Sequence, residues 1–474
     1  MLLFLLYIFL FIAVLFYLAK TYISESVGCK FVITCFFTLY YIFMPIILIL
    51  FRESFYEDSK FYVKIIYDTI DIYGLNAWFR TFIVSITGFL VFEGTIKTKL
   101  YFWRHAVRID ESYFLRSGTV NGLRKIGFFL LAVGGISLVL LFRDLGGIST
   151  ALSLGSTIRA YSTSNADYLS ALGSVFKTLS GMVVGAGYCF FVVYVTKKKR
   201  CDRMMFIVSL ILALFYILFN SGRSNLVFLC LTYICGYLGI KKKDLMKPLI
   251  FLALIVILGS EFIGTLMDFI SQGRGISATT IGTYSMSDNL LSTIIDFSYP
   301  YCNILSADYM NETFGFRFFK DYIIWLPSML PSRLFSLLGI NIPNATSLTL
   351  ETSNYYQMLM RFNGGTPVDF MTAGIRQFPV FGLLINTVLY SYIVKKIDQI
   401  SRTVHSNYSP LFWVLYIAAF DTMISNDLCS LVKAKLAQII IFVFLCWRTK
   451  RFRFRKQLLS DLNLHSKVSI CENG

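Results

Sequence analysis

Apolar and polar positions follow each other along this chain in long blocks rather than in short amphipathic periods. Apolar stretches of spanning length fall at about 2–19, 31–51, 78–96, 126–142, 173–196, 204–220, 225–240, 248–267, 372–394, 410–427 and 430–447. A membrane-crossing helix needs roughly 20 mostly apolar residues, so the pattern predicts an all-α polytopic integral membrane protein with about eleven transmembrane helices. Between the eighth and ninth stretch the apolar pattern stops. Pro300, Pro327, Pro331, Pro343 and Pro367 fall in that interval and Pro379 just beyond it, and proline removes a backbone donor and breaks helices. The interval must therefore be a folded loop with short amphipathic helices. The expected organisation is helices one to eight in 1–267, the large loop in 268–371, helices nine to eleven in 372–447, and a basic tail in 448–474. The first stretch starts at residue 2 with no basic leader and no small-residue cleavage site, so it is expected to remain as a span.

Composition strengthens this reading. Hydrophobic residues make up 56% of 474 and the mean hydropathy is +0.66, beyond what the core of a soluble protein of this length requires. The formal charge of +17 would suggest a nucleic-acid partner if it were spread evenly. It is not. Nearly two-thirds of the 44 lysines and arginines lie in alternate connections: Lys20 and Lys30, Lys97 to Lys125, Lys197 to Arg203, Lys241 to Lys247, Lys395 to Arg402, and the tail from Arg448. Basic connections stay cytoplasmic, so the excess charge reports topology, and no nucleic acid is expected as a partner. The C-terminus is then cytoplasmic, and the large loop and the N-terminus lie outside.

The ten cysteines contain no CxxC and no metal-ligand spacing. Cys302 and Cys429 are the pair that an oxidising compartment could reach, and no bridge is expected between them. His105, His405 and His465, the three histidines, all map to cytoplasmic segments, so no imidazole is available outside for base or metal chemistry. Neither a metal nor a cofactor is expected.

Outside, arginines recur beside small residues at helix ends. Arg143 opens Arg143-Asp144-Leu145-Gly146-Gly147, Arg159 follows Ser156-Thr157-Ile158, and Arg223 sits in the short turn Asn220-Ser221-Gly222-Arg223. The large loop adds Arg274, Arg317, Lys320, Arg333 and Arg361, with Arg376 at the mouth of the ninth span. Guanidinium groups present paired donors to diphosphate or carboxylate. One such arginine is more often a loop or headgroup contact; as a set they predict an anion site beside the bilayer. The loop also carries Phe314 to Tyr322, including Asp321, and Trp325 to Arg333, aromatic enough for an interface belt or for stacking on sugar rings. It ends in Tyr355-Tyr356 and in Gly364-Gly365-Thr366-Pro367-Val368-Asp369, a turn sequence leading directly into a span and a candidate substrate-gripping loop.

Ionisable residues inside spans are costly and usually paired. Asp421 and Lys435 flank the turn near Leu428 at equal separation and predict an ion pair between spans ten and eleven. Glu261 is placed in the outer part of span eight, and Glu93 near the inner end of span three reads as structural.

These features together resemble the O-antigen polymerase (Wzy) type of oligosaccharide repeat-unit polymerase. The likeness rests on the odd number of spans, the Gly146-Gly147-Ile148 to Arg159 loop, the Ser221-Gly222-Arg223 turn, the proline-rich Asp321 to Arg333 stretch, and the Gly364 to Pro367 loop ending near Phe381-Gly382. The resemblance implies a glycosyltransferase-C-like enzyme of the bacterial inner membrane, with its site facing the periplasm. It would join oligosaccharide units carried on undecaprenyl diphosphate, which serve as both donor and acceptor, with a chain-length regulator protein as partner. By position, Arg159, Arg223, Arg333 and Arg361 or Arg376 match the arginines that act on the diphosphate. Guanidinium groups can stabilise charge developing on that leaving group. For the acceptor hydroxyl, Asp369, Asp321 and Glu351 are the candidate bases. A lipid-linked oligosaccharide transporter or flippase and an O-antigen ligase are the alternatives; transporters usually show internal repeats, and none is visible here.

Overall fold

The computed structural model describes residues 2–24, 27–51, 61–98, 117–152 with 154, 169–220, 223–241, 297–325, 347–360, 366–402 and 406–448. Among these, every regular element is helical. Helix α1 (Leu2–Ser24) is apolar on all sides. It buries the stripe Leu3, Tyr7, Val14, Leu18 and Thr21, and leaves Phe9, Phe16 and Ile23 exposed, as a helix at the lipid boundary does. Helix α2 (Cys29–Leu50) is buried along most of its length. A π turn at Leu39–Phe43 interrupts it. Below the turn, Ile33 and Phe37 belong to the main core; above it, Ile46 and Leu48 join a second core with Tyr7, Trp78 and Tyr301.

Helix α3 (Phe61–Lys97) bends at Gly74, whose φ of 69° only glycine adopts without strain. Then come α4 (Ser117–Asp144), α5 (Ala171–Ser180), α6 (Met182–Lys197), α7 (Arg200–Phe219) and α8 (Arg223–Ile240). The Ser170 hydroxyl caps α5 by accepting from the Gly173 amide at 2.8 Å. After them stand α9 (Tyr299–Phe314), α10 (Lys320–Ile324), α11 (Leu348–Met360), α12 (Phe370–Gln377), α13 (Pro379–Ser401), α14 (Ser409–Ile424), α15 (Leu428–Ala434) and α16 (Leu436–Arg448). Helix α4 packs on α5 and α6, α6 on α7, α8 on α14, and α3 on α9 and α13.

Seven helices among the described residues are long and apolar enough to cross a membrane: α1, α2, α3 from Gly74, α4, the α5–α6 pair, α7 and α13. Helices α8 and α16 are apolar but shorter, and α14 has 16 residues. This is the architecture of a polytopic membrane protein. The span expected at 248–267, with Glu261, lies outside the described residues, as does most of the large loop.

One expected span has a different form. The continuous helix predicted at 372–394 is split into α12 and α13, with Phe378 extended between them at φ −164° and ψ 133°. The cause is Pro379, which cannot donate to the preceding turn and pushes the residue before it out of the helical region. The two pieces fold back on each other, and their contact is backbone on backbone. A Cβ on Gly382 would collide with the Gly374 carbonyl oxygen, and one on Gly374 would lie 2.7 Å from that of Gly382.

Several basic residues are tied down at helix ends. Arg124 grips Asp202 with two hydrogen bonds of 2.9 and 2.7 Å, Arg448 reaches Thr119 at 3.2 Å, and Lys30 pairs with Glu93 at 3.6 Å. Glu93 also accepts from Tyr17 at 2.5 Å and from Thr34 at 3.2 Å, the structural role its position suggested. Lys435 and Asp421 form the expected ion pair.

Candidate functional site

Helices α9, α10, α11 and α12 build a polar assembly from residues far apart in sequence. Its centre is Arg376, whose side chain is fully buried. One guanidinium nitrogen donates to Asn311 and to the Gly315 carbonyl, the other to Glu351 at 2.7 Å. The second Glu351 oxygen takes Arg317 at 2.5 Å. Arg317 in turn holds Asp321 with both of its remaining nitrogens, one at 2.8 Å, and Gln377 donates to the same carboxylate. Two guanidinium groups thus face two carboxylates, and the formal charges cancel. Burial disfavours the charge on Arg317, but Asp321 and Glu351 together more than offset it and hold its pKa above the ordinary arginine value. Arg376 is shifted the other way, because burial outweighs its contact with Glu351.

This network fastens a strained turn. Phe318 and Phe319 have φ of 47° and 60° and Gly315 has 74°; for the two phenylalanines that is a left-handed conformation which costs energy and persists only where the surroundings enforce it. The amides of Arg317 and Phe318 bond to the carbonyls of Arg376 and Gln377, each at 3.0 Å. The turn is therefore tied to the end of α12 by backbone and side chains together.

The opposite end of α12 carries Asp369, which is also fully buried. As N-cap residue its Oδ2 accepts from the amides of Met371 and Thr372 at 3.2 and 3.1 Å, and from the hydroxyl of Tyr41 in the π turn of α2 at 3.1 Å. Its Oδ1 has no partner among the described residues. Burial pushes the carboxyl up to about 6, against the opposing pull of Thr372 and Tyr41. Capping alone accounts for an aspartate at this position. It does not account for the second oxygen, buried and unsatisfied, on a group whose pKa lies near the range useful for proton transfer.

The extended residues leading to Asp369 are anchored one by one. The Thr366 amide donates to Ser353 at 2.9 Å, the Pro367 carbonyl accepts from Asn303 at 2.9 Å, and the Val368 carbonyl accepts from the Asn426 amide at 2.5 Å. Asn303 is itself oriented by Tyr356 at 2.8 Å. On the far side, Asn386 of α13 donates to the Phe370 carbonyl and accepts from Tyr322 at 2.7 Å. No three His, Cys, Asp or Glu among the described residues come together as ligands for a metal ion. Comparison of the chain with protein-family models, with curated proteins and with solved structures finds no match.

The residues singled out in the sequence divide into three groups. Arg317, Asp321 and Arg376 are brought together with Glu351, while Thr366 and Asp369 stand at the other end of α12, with Tyr355 buried against Tyr356 and Met310. Lys320 and Arg143 are exposed, and Arg143 belongs to the last turn of α4. Arg223 begins α8. Arg159, Arg274, Arg333, Arg361, Gly364 and Gly365 lie outside the described residues, as does the side chain of Cys429; Cys302 is buried, its thiol facing the Ser298 hydroxyl at 4.0 Å. Sequence reasoning missed Tyr41, Asn303, Asn311, Gln377 and Asn386. Tyr41 is one of several aromatics in an apolar run, and only the π turn distinguishes it. An amide such as Asn386 inside an otherwise apolar span is a signal that was available.

Proposed function

We propose that this chain is an oligosaccharide repeat-unit polymerase of the O-antigen type, acting at the periplasmic face of a bacterial inner membrane. It would transfer a growing glycan from undecaprenyl diphosphate to a lipid-linked acceptor unit, with a chain-length regulator as partner. The observation that carries this reading is the α12–α13 hairpin. A loop segment enters an apolar bundle, sets an acidic residue with a raised pKa at the start of α12, and is braced at the other end of that helix by a charge-neutral Arg/Glu/Asp frame; irregular backbone inside a membrane bundle marks functional cavities.

In this proposal the arginines divide by task. Arg317 and Arg376 are consumed by carboxylates and act as positioning residues. The diphosphate is assigned to Arg159, Arg223, Arg333 and Arg361, with Asp369 as acceptor base. Alanine at any of those four arginines should leave protein in the membrane and reduce long chains to mainly single units, since one transition-state donor is worth about 10² to 10³ in rate. Alanine at Arg317 or Arg376 should instead remove folded protein. The decisive experiment is purified protein in liposomes with a lipid-linked repeat unit as sole substrate and excess EDTA. A ladder of chain lengths supports polymerisation. Translocation of the unit without any ladder would favour the transporter reading, which draws on the same broken hairpin.

A further inference from the structure

A second polar site lies at the basic end, away from Asp369. A cavity of about 300 Å³ opens between α2, α3 and α13, lined by Lys30, Lys97, Lys395, Arg402, Asp398 and Gln399. Two carboxylates set its cations in place. Glu93 stands 3.6 Å from the Lys30 ammonium and 3.9 Å from that of Lys97, and the Tyr17 ring lies 5.4 and 4.8 Å from the same two groups. Asp398 accepts from Arg402 at 2.8 Å and from the Lys30 amide at 3.4 Å. Lys395 is held by the carbonyls of Thr95, at 3.1 Å, and Thr98 at the end of α3. Among the described residues, four cations and two carboxylates surround a cavity of headgroup size.

The site has a buried wall and an open rim. The side chains of Lys30 and Asp398 are 9% and 10% exposed, whereas those of Lys97 and Arg402 are 59% and 44% exposed. On the helices that frame the cavity, Leu90 of α3 and Ile393 of α13 are exposed apolar residues. Basic pockets between membrane helices at the basic end suit anionic headgroups. We infer that this cavity is a phosphate site that takes the headgroup of an acidic phospholipid.

The test uses the full-length protein in nanodiscs of pure phosphatidylcholine, or with phosphatidylglycerol added, and reads thermal stability together with lipids retained in native mass spectrometry. Phosphatidylglycerol should raise the melting temperature and remain bound to the natural protein. Lys97→Gln combined with Arg402→Gln should weaken retention roughly thirtyfold, the effect of removing two cations near a membrane surface. Gln399→Glu, which keeps both cations and adds an opposing charge, should do the same if the double variant fails to fold. Equal retention by natural protein and variants would overturn the site. Full stabilisation by millimolar inorganic phosphate in phosphatidylcholine discs would overturn the lipid assignment and leave a free anion as ligand.

Discussion

Glu351 shows how much one side chain can decide. It bridges Arg317 and Arg376, so Glu351→Ala takes a carboxylate from two guanidinium groups in an apolar setting. Breaking a buried pair in this way costs about 3 to 5 kcal/mol, and the expected result is loss of monodisperse protein after extraction, with Glu351→Asp milder. Asp369 makes a prediction about pH. Its folded pKa of about 6 lies above the ordinary 3.8, so the folded state holds the proton more tightly than the unfolded chain does. The resulting stabilisation is complete below about pH 4 and is lost as pH rises through 6, at about 1.4 kcal/mol per unit or about 3 kcal/mol in all. Asp369→Asn keeps a good cap and should remove this slope, read as the difference between the two unfolding profiles from pH 4 to 7. Identical slopes would show that Asp369 does not titrate in this window. Residue types of this kind were partly legible in the sequence: Arg317, Asp321, Arg376 and Asp369 stood out as charges near apolar segments. Their mutual pairing was not, because it depends on where α9, α11 and α12 meet.

At the scale of elements, the hairpin rests on glycine. Gly374→Ala or Gly382→Ala places a methyl group against the carbonyl of the facing chain, and forcing the backbones apart costs typically 1 to 3 kcal/mol. Gly94, near the end of α3, has nothing within 4 Å of the place a methyl group would take; alanine there should be neutral or stabilising by about 0.4 to 1 kcal/mol, since it only removes freedom from the unfolded chain. Thermal unfolding of the three variants tests the contrast, and equal effects would mean that the hairpin is not closely packed. The apolar blocks predicted where most helices lie, because twenty apolar residues have few other options in a bilayer. They joined α12 to α13, since hydrophobicity continues across Phe378 and Pro379 and only local backbone chemistry separates the two.

For the whole molecule, the membrane architecture was plain from the sequence, and so was the Asp421–Lys435 pair that ties the last two long segments together. Which compartment each end faces is a prediction from charge. A single cysteine at the exposed Lys320 should react with an impermeant label from outside intact spheroplasts, and one at the exposed Lys198 only after lysis. Thr366 is a poor reporter despite its position before α12, because it is fully buried. The opposite pattern would invert the topology and move the proposed glycan chemistry to the wrong side of the membrane.

The π turn in α2 gives the molecule one spare residue. Its amide from Met44 reaches back to Leu39, a step one residue longer than an α-helix makes, so the halves of α2 on either side are out of phase by a single position. Each half serves its own core, and only the turn itself supplies Tyr41 to Asp369. Deleting one residue between Leu39 and Phe43 would let the helix close into regular geometry, at the expense of the phenol that reaches Asp369 at the start of α12. One irregularity thus serves both packing and site: it separates the halves of α2 between two cores and carries Tyr41 to a single carboxylate.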